Sequence, residues 1–244
     1  MSSGRERLAA EHRPEAIRTR LARAPARSYL GDAVLGAIDG CVTTFAVVAG
    51  ASGAALPGAV VLILGFANLV ADGFSMAVSN YQGTKTARES LERAAREEEE
   101  HIRLVPEGER EEIRQIFAAK GFGGETLERI VEVISQRRDV WVDTMLTEER
   151  GLSRKGADPL RAAVATFAAF AAAGLIPLLP FLLSWKVALE ASAGITAAAF
   201  FAIGVARGLV LGRSALRSGL GTLAMGGAAA ALAFTIAFLL RGLA

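Results

Sequence analysis

The sequence predicts an all-α membrane protein with five transmembrane helices and a cytoplasmic helical subdomain inserted between spans two and three. Three observations predict it. Of the 244 residues, 52% are hydrophobic and the mean hydropathy is positive at +0.37, more apolar material than one soluble domain of this size can bury. The apolar residues gather into five runs, each near the roughly 20 residues that a bilayer core requires. A charge-rich stretch, residues 85–156, separates the second run from the third.

Residues 1–28 carry seven arginines (Arg5, Arg7, Arg13, Arg18, Arg20, Arg23 and Arg27) against three glutamates. No apolar stretch with a small-residue cleavage site follows at signal-peptide length, so this reads as a retained basic cytoplasmic arm. Residues 29–84 hold the first two spans, Leu30 to Gly50 and Pro57 to Tyr81. No charge lies between Asp39 and Asp72, and "GASGAALPG" at 50–58 divides the run, its proline suited to a first helical turn. Span two has no stop signal at the membrane surface. Good helix formers continue to Pro106, so one helix of about 48 residues, roughly 72 Å long, projects as a stalk.

Beyond Pro106 the pattern predicts helices over 108–119, 125–136 and 138–150, with Ile113, Ile116, Phe117, Leu127, Ile130, Val133 and Ile134 as a small core. Residues 157–244 hold the remaining spans at 160–184, 187–206 and 214–240, with Pro177 and Pro180 kinking or ending the third. Gly36 and Gly40, and Gly204, Gly208 and Gly212, recur every four residues and read as close-packing faces. Arginine in the arm, in the polar stretch and at Arg207, Arg213 and Arg217 places these flanks in the cytoplasm and the C-terminus outside. The single cysteine, Cys41, excludes a disulfide framework or thiolate cluster.

Chemistry concentrates in two places. Asp39 sits within span one, and Asn68, Asp72, Ser75 and Met76 within span two. A carboxylate at mid-bilayer costs about 2.5–3.5 kcal/mol on insertion scales, so it faces a cavity, a partner or an ion. A thioether beside it favours a first-row transition metal over Mg²⁺ or Ca²⁺. The second place is "REEEEHIRLVPEGEREE" at 96–112. Glu98 with His101, and Glu109 with Glu112, are three apart and share a helix face; Glu97 with Glu100 do the same, so helical phase alone does not choose. Taken singly, each glutamate in a mixed-sign run reads as solvated surface. Taken together, 18 acids against 14 bases between Thr84 and Asp158 would draw cations.

Several blocks together carry a resemblance: "YLGDAVLGAIDGCVTTFAVVAGASG" at 29–53, "GFANLVADGFSMAVSNYQGTKTARE" at 65–89, the Glu-rich helix ending in "VP" at 105–106, "WVDTMLTEERGL" at 141–152 and "GLIPLLPFLLS" at 174–184. In order and spacing they resemble the vacuolar iron transporter family, which moves Fe²⁺, and often Mn²⁺, in exchange for protons. The resemblance implies that Asp39 and Met76 line the translocation path, with Asp72 and Asn68 beside them. It implies that the inserted helices bind metal through Glu98, His101, Glu109, Glu112, Met145 and Glu149. It leaves Glu97, Glu99, Glu107 and Glu111 as solvated or arginine-paired, and Glu100 undecided. Three positions depart from the family pattern: His101 replaces a carboxylate, Leu146 a second methionine, and Asn68 an acid for which Asp72 is the nearest substitute.

The expected function is therefore export of Fe²⁺ and Mn²⁺ from the cytoplasm against protons by a homodimer, not an enzymatic reaction. No permanent cofactor is expected; Co²⁺ and Zn²⁺ are further candidate ions. The expected partners are divalent metal ions, protons, the bilayer and a second copy of the chain, and not nucleic acid. A bacterial inner membrane is the expected location. Two rival readings remain: a membrane-anchored di-iron ferroxidase, for which Glu98-x-x-His101 supplies one of the two elements required, and a metal-binding sensor.

Overall fold

A computed structural model describes residues 2–22, 28–153 and 156–242, and every regular element among them is helical. The basic arm forms two short helices, α1 (Ser2–Glu11) and α2 (Pro14–Ala22), the second with no buried residue; Arg23 and Arg27 lie outside the described residues. Then come α3 (Leu30–Gly53), α4 (Gly58–Leu104), α5 (Pro106–Ala119), α6 (Gly124–Ser135) and α7 (Arg138–Glu148). The last part holds α8 (Pro159–Gly174), a 3₁₀ turn (Ile176–Leu178), α9 (Leu179–Leu182), α10 (Ala188–Val210) and α11 (Ala215–Leu240). Five stretches are long and apolar enough to cross a membrane: α3, α4, Pro159–Leu182, α10 and α11.

The long helix is as the sequence predicts, 47 residues without interruption. It stops because Pro106 disfavours helical backbone at the residue before it, and Val105 accordingly leaves the helix at φ −134°, ψ 53°. Span three breaks where its two prolines predict. α8 ends at Gly174, and the chain crosses Pro177 in a 3₁₀ turn before α9. The Pro177 carbonyl, left without a helical donor, accepts the Ser192 hydroxyl from α10 at 2.7 Å, so the break is satisfied where water would be scarce.

α3 is the central helix, in contact with α4, α8, α10 and α11. Its glycines set the approach to α8: a Cβ on Gly36 would lie 2.2 Å from the Thr166 carbonyl oxygen, and one on Gly40 would lie 2.3 Å from that of Phe170. Gly204 and Gly208 do the same for α10 against Ser218 and Ala215 of α11. Gly212 does not join that face. It follows the helix at φ +62°, with Arg213 N–H donating to the Gly208 carbonyl at 2.9 Å, and so terminates α10 rather than packing it.

Gly40→Ala is expected to lower the thermal midpoint of the detergent-solubilised protein, by overpacking worth about 1–3 kcal/mol, because the obstructing atoms are backbone. Gly83, on α4 with nothing within 4 Å of its would-be Cβ, is the control. Gly83→Ala should hold or raise the midpoint, since alanine gains about 1 kcal/mol of helix propensity. Equal behaviour of the two variants would remove the close-packing account.

Distal α4 and α5–α7 pack around Ala94, Ile102, Ile113, Val131, Trp141, Val142, Met145 and Leu146. Phe117 and Ile134 flank this core as the sequence predicts, but Val133 is 49% exposed. The buried face of α6 runs through 127, 130/131 and 134, spaced by three and four, and 133 falls off it. The predicted core lacks Val131 and the contributions of α4 and α7.

Candidate functional site

The glutamate-rich stretch divides once α4 and α5 are folded. Glu98 and His101 end the stalk on one face; Pro106 turns the chain, and α5 returns Glu109 against them. One ligand atom each from Glu98, His101 and Glu109 lies within 4.8 Å of the others. His101 Nδ1 is 3.5 Å from Glu109 Oε1, with the histidine exposed and the glutamate buried, so the group opens to solvent on its histidine side.

Both carboxylate oxygens of Glu98, and Oε2 of Glu109, are buried without a hydrogen-bond donor. Arg150 comes within 2.5 Å of Glu98 Oε1 as an ion pair, without meeting hydrogen-bond geometry, while its other arm donates to Glu97 at 2.9 Å. Burial raises the Glu98 carboxyl above its ordinary range, with Arg150 pulling it down. Glu109 is pushed up to about 7, by burial first and then by Glu112 and Glu98. Buried acids lacking donors are costly. A divalent cation between them would supply the missing positive charge, and the mixed oxygen and imidazole donors would suit a first-row metal.

Of the six residues that the resemblance implies, the structure brings these three together. Glu112, one turn beyond Glu109, and Glu149, just past α7, are exposed, stay outside the close set, and act on it through their charge. Met145 is fully buried in the apolar core, which accounts for it as packing. The remaining glutamates point elsewhere: Glu97 to Arg150, Glu107 to Arg110, Glu111 to Arg114, and Glu100 to Arg103 at 3.7 Å. Glu99 is exposed, and only its backbone carbonyl is engaged, by Arg138.

The second group lies between the first two spans. Asn68, Asp72 and Met76 recur every four residues along α4, all half-buried, and Asp39 and Thr43 do so on α3. Asp72 is near enough to Asp39 for their charges to interact. The Asn68 amide donates to the Thr43 hydroxyl at 3.3 Å. Met76 packs against the apolar cluster of Val48, Val61, Leu69 and Phe170, so its sulfur sits at the edge of this polar stripe, among core side chains. Ser75 is exposed on another face.

The same four-residue series continues to Asn80 and Thr84, which sequence reasoning missed. The Asn80 amide nitrogen donates to Asp32 at 2.9 Å and to Thr166 at 2.6 Å, and the Thr84 hydroxyl donates back to Asn80 at 3.3 Å. Spans one, two and three are thus tied together at one end of the stripe. The signal was available as polar residues at 68, 72, 80 and 84 with Met76 in the same series, and as Asp32 within the first turn of span one.

The profile of the VIT family matches residues 30–238, taking in all five spans and the helices between them. The chain belongs to the VIT family. It is 35% identical over 211 residues to vacuolar iron transporter 1 of Arabidopsis thaliana, covering 84% of each chain. It is 33% identical over 211 residues to vacuolar iron transporter 2 of Oryza sativa subsp. japonica, covering 84% of this chain and 85% of the relative. The vacuolar iron transporter of Toxoplasma gondii is 30% identical over 227 residues, covering 87% and 74%. Membership in the VIT family and the five spans make the protein integral to a membrane. The expected bacterial inner membrane is not borne out, since these relatives are eukaryotic and are named for the vacuole.

Proposed function

We propose that this VIT-family chain exports Fe²⁺, and Mn²⁺ beside it, from the cytoplasm in exchange for protons, acting as a homodimer. The observation that carries the reading is that one continuous helix holds both polar sites. α4 bears Asn68, Asp72 and Met76 in its apolar part and Glu98 and His101 on its stalk. Asp72 and Glu98 are 26 positions apart, about 39 Å along the axis at 1.5 Å per residue. The family's relatives, named iron transporters, supply the cargo.

In this reading residues 85–156 form a cytoplasmic loading unit and residues 1–28 a basic cytoplasmic arm, with spans at 29–84 and 157–244. Glu98, His101 and Glu109 take up the ion, with Glu112 and Glu149 adding negative charge around them and Met145 held in the unit's apolar core. Asp39, Asp72, Asn68 and Met76 receive it in the membrane, and protonation of a pathway carboxylate releases it. Asp39 and Asp72 are only half covered by their own chain; a symmetric second copy would complete their enclosure. Cytoplasmic placement follows from the arginines on these flanks. The ferroxidase and sensor readings are not favoured. The chain has a single Glu-x-x-His element, and an oxidase has no use for carboxylates between apolar spans.

The test is anaerobic Fe²⁺ movement into proteoliposomes, with a pH dye reporting protons. Flux into an acidic lumen, with proton exit coupled to metal entry, is the expected result. Flux indifferent to the gradient would remove the exchange mechanism. Metal binding without flux would favour the sensor, and stoichiometric oxygen uptake in air would favour the ferroxidase.

A further inference from the structure

The basic end of the last two spans holds a cleft used by neither polar site described above. Arg207 in the last turn of α10, Arg213 in the following loop and Arg217 in the first turn of α11 line about 480 Å³, with Ser214, Ser218 and Thr222. None of the three arginines pairs with a carboxylate among the described residues. Arg213 and Arg217 also stand at the positive end of α11, whose first turn carries no acid, an arrangement that repels cations and calls for an anion.

A second groove, of about 490 Å³, meets this cleft at Arg207 and Leu211 and runs along α3 past Val34, Leu35 and Ile38. Its walls are apolar and uncovered: Leu35 is 54% exposed and Leu211 56%. We infer that the cleft and groove together bind one anionic glycerophospholipid, its phosphate among the arginines and an acyl chain along the groove between α3 and α10. Charge complementarity and continuity select this occupant. Inorganic phosphate would answer the arginines and leave the groove bare; a zwitterionic lipid would fill the groove and bring its own cation to the arginines. Basic pockets between membrane helices take anionic headgroups for these reasons. The inference rests on membrane embedding and is independent of the cargo. Ile38, next to Asp39 in the chain, puts the lipid beside the span that carries the pathway carboxylate.

Native mass spectrometry of the full chain in detergent tests it, with phosphatidylglycerol, phosphatidylcholine of the same acyl chains, and inorganic phosphate as separate probes. Phosphatidylglycerol should be retained at least about tenfold more tightly than phosphatidylcholine, and inorganic phosphate should not displace it. R207Q/R213Q/R217Q should abolish the preference, whereas R18Q/R20Q, which removes as many charges from the arm as R213Q/R217Q removes from the cleft, should keep it. If the triple variant does not fold, R213Q/R217Q, at exposed positions, should still lower the ratio about threefold or more. Equal retention of the two lipids, an unchanged ratio in the arginine variants, equal loss in R18Q/R20Q, or displacement by inorganic phosphate would each overturn the proposal.

Discussion

Asp39→Ala is expected to reduce Fe²⁺ flux in proteoliposomes by on the order of 100-fold or more, to the level of protein-free vesicles. The size follows from where the carboxylate stands. Asp39 is half-buried on the central helix, near enough to Asp72 of span two for their charges to interact. A divalent ion at that place would be balanced by two negative charges in surroundings that screen poorly. Removing one leaves a net positive ion among apolar helices, and the lost attraction is of the order found when one partner of a buried ion pair is deleted, about 3–5 kcal/mol. Thr43→Val, one turn away, loses a hydroxyl that accepts from Asn68 at 3.3 Å, a neutral contact worth about 1 kcal/mol, and should slow flux severalfold only. Metal binding by Glu98, His101 and Glu109, measured by titration calorimetry, should be unchanged in Asp39→Ala. Wild-type flux in this variant would refute the assigned path.

Much of this was legible in the sequence because membrane helices advertise themselves by length. A helix running from Gly58 to Leu104 needs only the absence of a stop signal before Pro106, and the five spans need only five apolar runs. What the sequence hid depended on direction. Gly212 shares the four-residue spacing of Gly204 and Gly208 yet ends the helix, because spacing records neither φ nor the point where a helix stops. Val133 reads as apolar core and faces water, since α6 could be turned either way until α7 supplied Trp141, Val142, Met145 and Leu146. In the acidic stretch the helical phase admitted Glu97 with Glu100 as readily as Glu98 with His101. The tertiary fold decides between them: Arg150, far along the chain, pairs with both Glu97 and Glu98, but Glu98 is the buried one, and α5 brings Glu109 against it and His101. Asp32, Asn80 and Thr166 went unread because each is unremarkable alone; the network exists only after three spans meet.

Glu98→Gln and Glu109→Gln should separate metal binding from stability in opposite directions. In the metal-free protein both carboxyls are buried and short of donors. Their folded pKa values are raised, Glu109 to about 7 from an ordinary 4.5. For a raised acid the stabilising contribution is fully present below the unfolded pKa and is lost as pH rises through the folded one. The metal-free wild type should therefore have a higher thermal midpoint at pH 5 than at pH 8, with the change centred between about 4.5 and 7 for Glu109. Glutamine at 109 removes that titration, so the variant should be flatter with pH and more stable than wild type at pH 8 in EDTA. Glutamine at 98 should act likewise, and Arg150 is not orphaned by the change because it keeps Glu97 at 2.9 Å. Metal affinity should move the other way. An ion must find the carboxylates ionised, so wild-type affinity should climb from pH 6 and level off above about 7 as Glu109 gives up its proton. Either glutamine should weaken Mn²⁺ binding in calorimetry by on the order of 100-fold, the loss of a charged ligand facing a dication with little water between. The stabilising effect at pH 8 should vanish when metal is added, since only the wild type then gains binding free energy. Lower stability with unchanged affinity would make Glu98 and Glu109 structural partners of Arg150 and His101, and would leave the loading unit without a ligand set.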